Sequence, residues 1–121
     1  MFRIASEHYF WWPVTVRRPD EDQPGKMTEE TFTARFKALG AERADELDAA
    51  ATAAGLSIFA RVKITIKEVL VGWKDIVDDG RAEMPFSAEA LNAAVQLPWF
   101  RDGVTKAYGE AVTGQEPRQG N

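Results

Sequence analysis

The sequence contains no cysteine and only one histidine, His8. The absence of cysteine excludes disulfide bonds, thiolate catalysis and every metal site that depends on a cysteine ligand. A zinc site needs about four ligands, usually with histidine or cysteine among them. A single histidine therefore predicts a structural or surface role for His8, and we expect no metal and no other cofactor.

Catalytic and nucleotide-binding signatures are also missing. The nine glycines are scattered, and none forms the G-x-x-x-x-G-K or G-x-G-x-x-G pattern of a phosphate-binding loop. No G-x-S-x-G element exposes a nucleophilic serine. Acid pairs such as Glu29–Glu30 and Asp78–Asp79 fall in turns or at the ends of predicted elements. The sequence therefore predicts that the protein is not an enzyme.

Long apolar runs and an excess of basic residues are lacking as well. The longest aromatic run, Tyr9 to Trp12, is far too short to span a bilayer, and residues 1–6 lack the apolar core of a signal peptide. The chain has 15 basic and 19 acidic residues, whereas a nucleic-acid-binding protein usually carries a basic face. We therefore expect a cytoplasmic protein with no membrane partner and no nucleic acid as its main ligand.

The N-terminal part shows the alternation of apolar and polar residues that is typical of strands. In residues 9–18 the residues Phe10, Trp12, Val14 and Val16 share one face, and residues 31–37 alternate in the same way. Between them, residues 19–27 are acidic and contain proline and glycine, which predicts a solvated loop. Because Pro13 cannot donate a ladder hydrogen bond, the first strand should lie at an edge or stop pairing there.

The remainder predicts about four helices, over residues 41–54, over 57–78 after a Ser57 cap, after Ser87 and before Pro98, and from about Trp99 to Thr113. Residues 61–67 also alternate as a strand would, but the length of the segment favours a helix. The predicted fold class is α+β, with an N-terminal two-stranded hairpin and a mainly helical body. We predict one domain over residues 1–114 and a disordered tail over 115–121.

Four tryptophans make this short chain rich in large aromatic residues. Trp11 and Trp12 are adjacent, so on a strand they face opposite sides, and one of them is left for solvent or a partner. Trp73 and Trp99 fall at helical spacing, which favours the core. Exposed tryptophans commonly anchor protein interfaces. The candidate protein-interaction residues are Tyr9, Trp11, Trp12, Trp73 and Trp99.

Several short motifs occur together in a defined order. They are Val71-Gly72-Trp73 followed by an acidic turn, Pro85-Phe86-Ser87 at a helix start, Leu97-Pro98-Trp99-Phe100, and Ala107-Tyr108 in the last helix. A Trp-Pro-Val strand and an acidic loop precede them. In this order and spacing the chain resembles the tail assembly chaperones of long-tailed bacteriophages and their prophages, and the likeness covers most of the sequence.

The resemblance implies a non-catalytic protein in the cytoplasm of a bacterial host. Members of this family bind the long, helical tape measure protein before the tail tube polymerises around it, and they are absent from the mature virion. Many are also made as a longer, frameshifted product whose extra domain is thought to recruit the tail tube protein. The implied partners are thus the tape measure protein and, through a longer form, the tail tube protein.

Two further expectations follow from the residues. The cluster of Arg61, Lys63 and Lys67 supports an alternative function as a small nucleic-acid-binding regulatory protein, although the acidic total counts against it. The edge strand with Pro13 and its adjacent tryptophans predicts a homo-oligomer, because strand edges and exposed aromatic side chains promote pairing.

Overall fold

The computed structural model describes residues 1–117 and has the predicted α+β architecture, in which a β-hairpin precedes four helices. Its elements in chain order are β1 (Tyr9–Pro19), β2 (Met27–Lys37), α1 (Ala41–Ala53), α2 (Ile58–Val69), β3 (Leu70–Lys74), α3 (Ala88–Ala94) and α4 (Pro98–Val112). All three strands form one antiparallel sheet in the order β1-β2-β3. Of the predicted tail, residues 115–117 have neither helix nor strand, and 118–121 lie outside the described residues.

The hairpin is longer than predicted. Its strands pair from Tyr9 opposite Lys37 to Pro19 opposite Met27, so β2 begins at Met27 rather than at residue 31. The polar residues near the turn pair across the strands by charge, with Arg17 Nε 3.0 Å from Glu29 Oε1. Cross-strand ion pairs support a ladder without the apolar alternation on which the prediction relied. Pro13 lies in an edge strand, as predicted.

The helix predicted over residues 57–78 is wrong beyond Val69. Residues 61–67 are helical, but at Leu70 the backbone becomes extended (φ −93°, ψ 106°) and β3 pairs with β2. The predicted two-stranded sheet therefore has a third strand, which places Gly72 opposite Arg35. A Cβ atom at Gly72 would lie 3.4 Å from Arg35 Cβ, so glycine suits this close neighbour. Residues 70–74 form a strand because they make hydrogen bonds to the second edge of β2. The spacing of apolar residues along the chain cannot reveal hydrogen bonds to a distant strand.

The predicted helix starts at Ser57 and Ser87 are confirmed. Ser57 Oγ accepts a hydrogen bond from Ala60 N at 3.2 Å, and Ser87 Oγ accepts one from Ala90 N at 3.0 Å. Each side chain satisfies an N–H group that the first helical turn leaves unpaired. Pro98 opens α4, where a missing N–H costs nothing.

One face of the sheet carries the core. Val14 and Phe36 are fully buried there, against Ile66 and Val69 of α2 and Val104 of α4. Aromatic contacts join β2 to α4 along its length: the rings of Phe32 and Phe100 stack at 5.6 Å, and those of Phe36 and Tyr108 meet edge-on at 5.4 Å. Leu39 N also donates to Tyr108 Oη at 2.9 Å. These contacts fix the helical layer to the hairpin on this side only.

Helix α4 runs close against the edge strand β1. A Cβ atom placed on Gly103 would lie 2.8 Å from the Thr15 carbonyl oxygen and 3.2 Å from Val16 Cγ2. Only glycine permits this distance, so Gly103 sets the spacing between α4 and β1. The self-association predicted from this edge strand stays a prediction.

We expect opposite effects from alanine at two glycines of α4. Gly103→Ala should lower the free energy of unfolding by about 1–3 kcal/mol, because the added methyl group overlaps the Thr15 backbone. Gly109→Ala is the matched control, since its Cβ meets nothing within 4 Å. It should raise stability by up to about 1 kcal/mol through better helix propensity. Urea denaturation measures both, and equal effects of the two substitutions would contradict the close packing.

Candidate functional site

The five candidate interaction residues lie in three different places. Trp73 and Trp99 line an open groove on the helical side of the sheet. Tyr9 and Trp11 lie on the opposite face of the sheet and are 40 % and 44 % exposed. Trp12 is partly buried and packs against the core, apart from both of these surfaces. The structure thus divides the set into two surfaces that the sequence did not separate.

The groove, which we call the apolar groove, has a volume of about 730 Å³. Its apolar lining includes Phe32, Trp73, Ile76, Leu97, Trp99 and Phe100. The hairpin, β3 with the segment that follows it, and the start of α4 supply these residues, so three parts of the chain meet here. A depression of this kind with aromatic walls is the usual form of a site that accepts apolar side chains.

Trp73 ties the walls of the apolar groove together. Its indole Nε1 donates to the Met84 carbonyl oxygen at 2.8 Å, and its ring meets Phe86 edge-on at 4.9 Å and Phe100 at 6.2 Å. Trp73 is a core residue, as predicted, but it lies on a strand and not on a helical stripe. Its position on β3 is what brings the segment after the strand back over the sheet.

A short turn held by Asp78 forms one wall of the apolar groove. Asp78 Oδ1 accepts hydrogen bonds from Gly80 N at 2.9 Å and Ala82 N at 3.0 Å. Met84 N donates to the Ile76 carbonyl oxygen at 2.8 Å and closes the turn. Asp75 lies just before this turn and has a φ of +70°, a backbone conformation that aspartate tolerates better than most residues. The wall is therefore fixed by local hydrogen bonds.

Charged residues form the rim of the apolar groove. Arg18 Nε lies 2.6 Å from Glu30 Oε1, and this carboxylate raises the pKa of the Arg18 guanidinium. The Asp78 carboxylate accepts the hydrogen bonds that hold the turn. Asp75 and Asp79 form no ion pair within residues 1–117. Arg81 lines the same side, so three carboxylates, those of Asp75, Asp78 and Asp79, stand against one guanidinium there, and this side is net acidic next to an apolar floor.

The opposite surface of the sheet, which we call the open sheet face, is exposed to solvent around Tyr9 and Trp11. Its centre is Trp11, with Lys74 Nζ 4.5 Å and Arg35 Cζ 5.5 Å from the ring centroid. Arg35 Cζ also lies 5.5 Å from the ring centroid of Tyr9. Sequence reasoning missed both cations. Arg35 was detectable, because alternation in residues 31–37 puts it on the face opposite the core, but Lys74 was hidden in a predicted helix.

His8, Arg61 and Trp12 are the other residues that the sequence singled out, and their surroundings are as follows. The ring of His8 lies 5.9 Å from that of Phe10 at the start of the hairpin. Arg61, the first residue of the predicted basic cluster, contacts Asp48 Oδ1 and Thr52 Oγ1 of α1 at 2.9 Å each. Trp12 Nε1 is buried without a hydrogen-bond partner among the described residues.

No three His, Asp or Glu side chains of residues 1–117 lie together as a metal ion would require. In the same part of the chain, no helix has the length and apolar content needed to cross a membrane.

Comparison with protein-family models, with curated proteins and with solved structures returned no match.

We expect the Trp73 indole to control the wall of the apolar groove. Trp73→Phe keeps a ring near Phe86 and Phe100 but leaves the Met84 carbonyl oxygen without its donor. The free energy of unfolding should fall by about 1–3 kcal/mol. Amide hydrogen exchange at Met84 should also become faster. The control is Trp99→Phe, and if both substitutions left exchange at Met84 unchanged, Trp73 would not hold this wall.

Proposed function

We propose that this protein is a non-catalytic assembly chaperone that binds an amphipathic helix of a longer partner in the apolar groove. The observation that carries the proposal is the groove itself, an open depression with aromatic walls beside an acidic rim. Binding of a helix by its apolar stripe in such a groove is a common mode of recognition. The groove needs no reacting group for this task.

The partner's charge follows from the rim. Asp75 and Asp79 lie beside the apolar floor and form no ion pair within the described residues, and with Asp78 they outnumber the one cation of this side, Arg81. A helix with lysine or arginine next to its apolar stripe complements them, whereas an acidic helix is repelled. The contacts between charged groups determine which helix binds and in which orientation it lies. The burial of apolar surface supplies most of the affinity.

The resemblance to tail assembly chaperones indicates which protein would supply the bound helix. On this proposal the helix belongs to the tape measure protein, and the chaperone works in the cytoplasm of the bacterial host and leaves before the virion is complete. A longer, frameshifted form of the chain brings in the tail tube protein. Apolar surface on a long helical protein promotes aggregation until it is covered. A shallow groove covers it and still permits release.

Co-expression tests this function. The long helical protein encoded next to this chain should be insoluble alone and soluble with this protein, and size exclusion should recover a complex with more than one copy bound. If the partner's solubility is the same with and without this chain, and no complex forms, the chaperone function is wrong.

Leu97 offers a variant that separates binding from folding. It lines the apolar groove, is 43 % exposed and occupies the N-cap of α4 without a capping side chain. Leu97→Asp should abolish recovery of the complex, because a carboxylate enters the apolar floor. The melting temperature should stay the same or rise, since aspartate is a favourable N-cap that is worth about 1 kcal/mol.

Ile58→Asp is the matched control for Leu97→Asp. Ile58 is 76 % exposed, also begins a helix and lies outside the apolar groove. An aspartate there is favourable in the first turn, so complex recovery should remain at the level of the unmodified protein. Loss of the complex with both variants, or with neither, would contradict binding in the groove.

A further inference from the structure

Two cations at the centre of the open sheet face have no carboxylate partner. Arg35 and Lys74 form no ion pair within residues 1–117, whereas the outer cations of the same face, Arg17 and Lys37, are paired with Glu29 at 3.0 Å and Glu7 at 3.4 Å. The chain as a whole has a formal net charge of −4. Two exposed cations thus lie together around one aromatic ring, and this arrangement suits an anionic ligand.

The aromatic rings hold these two cations in place. Lys74 Nζ and Arg35 Cζ lie at most 10 Å apart, since they are 4.5 Å and 5.5 Å from the same Trp11 centroid. Cation–π contacts restrict both side chains before a ligand arrives. Because the cations already lie over the rings, the face is better prepared for carboxylates than for stacked nucleic-acid bases, which need the ring surface itself.

Helix α1 carries the opposite charge on its exposed face. Ala51 is its only buried residue, and its other contacts are mainly with α2. Its outward face carries Glu42, Asp45, Ala49 and Ala53, all exposed. Glu42 and Asp45 form no ion pair within the described residues, whereas Asp48 on the inner side is paired with Arg61. At i, i+3 spacing the two free carboxylates lie side by side on the helix.

We propose that the outward face of α1 in one copy of this protein docks on the open sheet face of a second copy. Glu42 and Asp45 then meet the cations Arg35 and Lys74, and the small side chains of Ala49 and Ala53 let the helix backbone approach the rings. The chain cannot satisfy these contacts by itself, because α1 packs on α2, whose buried residues belong to the covered face of the sheet.

The two surfaces are different, so the contact is head-to-tail. A head-to-tail contact leaves one surface of each kind free at the ends, and it builds chains of copies unless the rotation closes a ring. This inference uses the open sheet face and not the apolar groove. It is therefore independent of the proposed function, and its test contains no partner protein.

Two double variants remove one surface each. Arg35→Gln with Lys74→Gln removes the charge of the basic face, and Glu42→Gln with Asp45→Asn removes the charge of the acidic helix face. In sedimentation experiments, the average mass of the unmodified protein should rise with its concentration. The rise should be smaller at high salt, because salt screens exposed charges. Each variant alone should associate at least about tenfold more weakly.

An equimolar mixture of the two variants gives the sharpest result. The first variant keeps its acidic helix and the second keeps its basic face, so the mixture should form a dimer of about twice the 13.5 kDa monomer mass and nothing larger. A symmetric interface or pairing at the β1 edge predicts no such rescue. Absence of the mixed dimer, with both variants folded, overturns the proposal.

Controls cover folding, total charge and the competing ligand. Circular dichroism checks each variant, and Arg35→Met with Lys74→Met replaces the glutamine pair if that pair fails to fold. Arg3→Gln with Lys26→Gln makes the same change in charge away from the face and should associate like the unmodified protein. A protein that stays monomeric at millimolar concentration overturns the proposal. So does a monomer that binds single-stranded DNA through Arg35 and Lys74, because the face then belongs to nucleic acid.

Discussion

The structure depends on one constraint, which is that a small antiparallel sheet is buried on a single face. The apolar side of β1 and β2 is too large to remain in water, and the helices that follow the hairpin cover it. Helix α4 makes the closest contact, and the absence of a side chain at Gly103 lets it reach the backbone of β1. Since side chains alternate along a strand, every residue between the buried ones is left on the other side. The exposed position of Trp11 is a direct result.

The apolar groove arises because the cover is incomplete. Helix α3 has only seven residues, and the segment that precedes it turns back on itself at Asp78. Trp73 fills part of the remaining space and fixes that segment through Met84. One tryptophan thus belongs to the core by its burial and to the groove by its position. A role in the fold and a role in binding are not alternatives for this residue.

The two proposed contacts use opposite sides of the sheet, so they are compatible in one molecule. A copy that holds a partner helix in the apolar groove still presents its open sheet face and its α1 helix to neighbouring copies. Weak contacts on the two sides then reinforce one another, because a bound neighbour raises the effective concentration of the next copy along a long partner. A modest groove is sufficient under these conditions, and each individual contact remains easy to break.

Local sequence determined much of this protein. Alternation in residues 9–18 and 31–37 specified the hairpin and assigned Trp11 and Trp12 to opposite faces, because strand geometry has a period of two. Ser57, Ser87 and Pro98 marked helix starts through hydrogen bonds made within a few residues of each. Tertiary structure decided the rest. Residues 70–74 form a strand because β2 offers them an edge, and no local pattern contains that edge. The apolar groove and the cluster of Trp11, Arg35 and Lys74 likewise unite side chains that are distant in sequence, so only the packing of the whole chain brings them together.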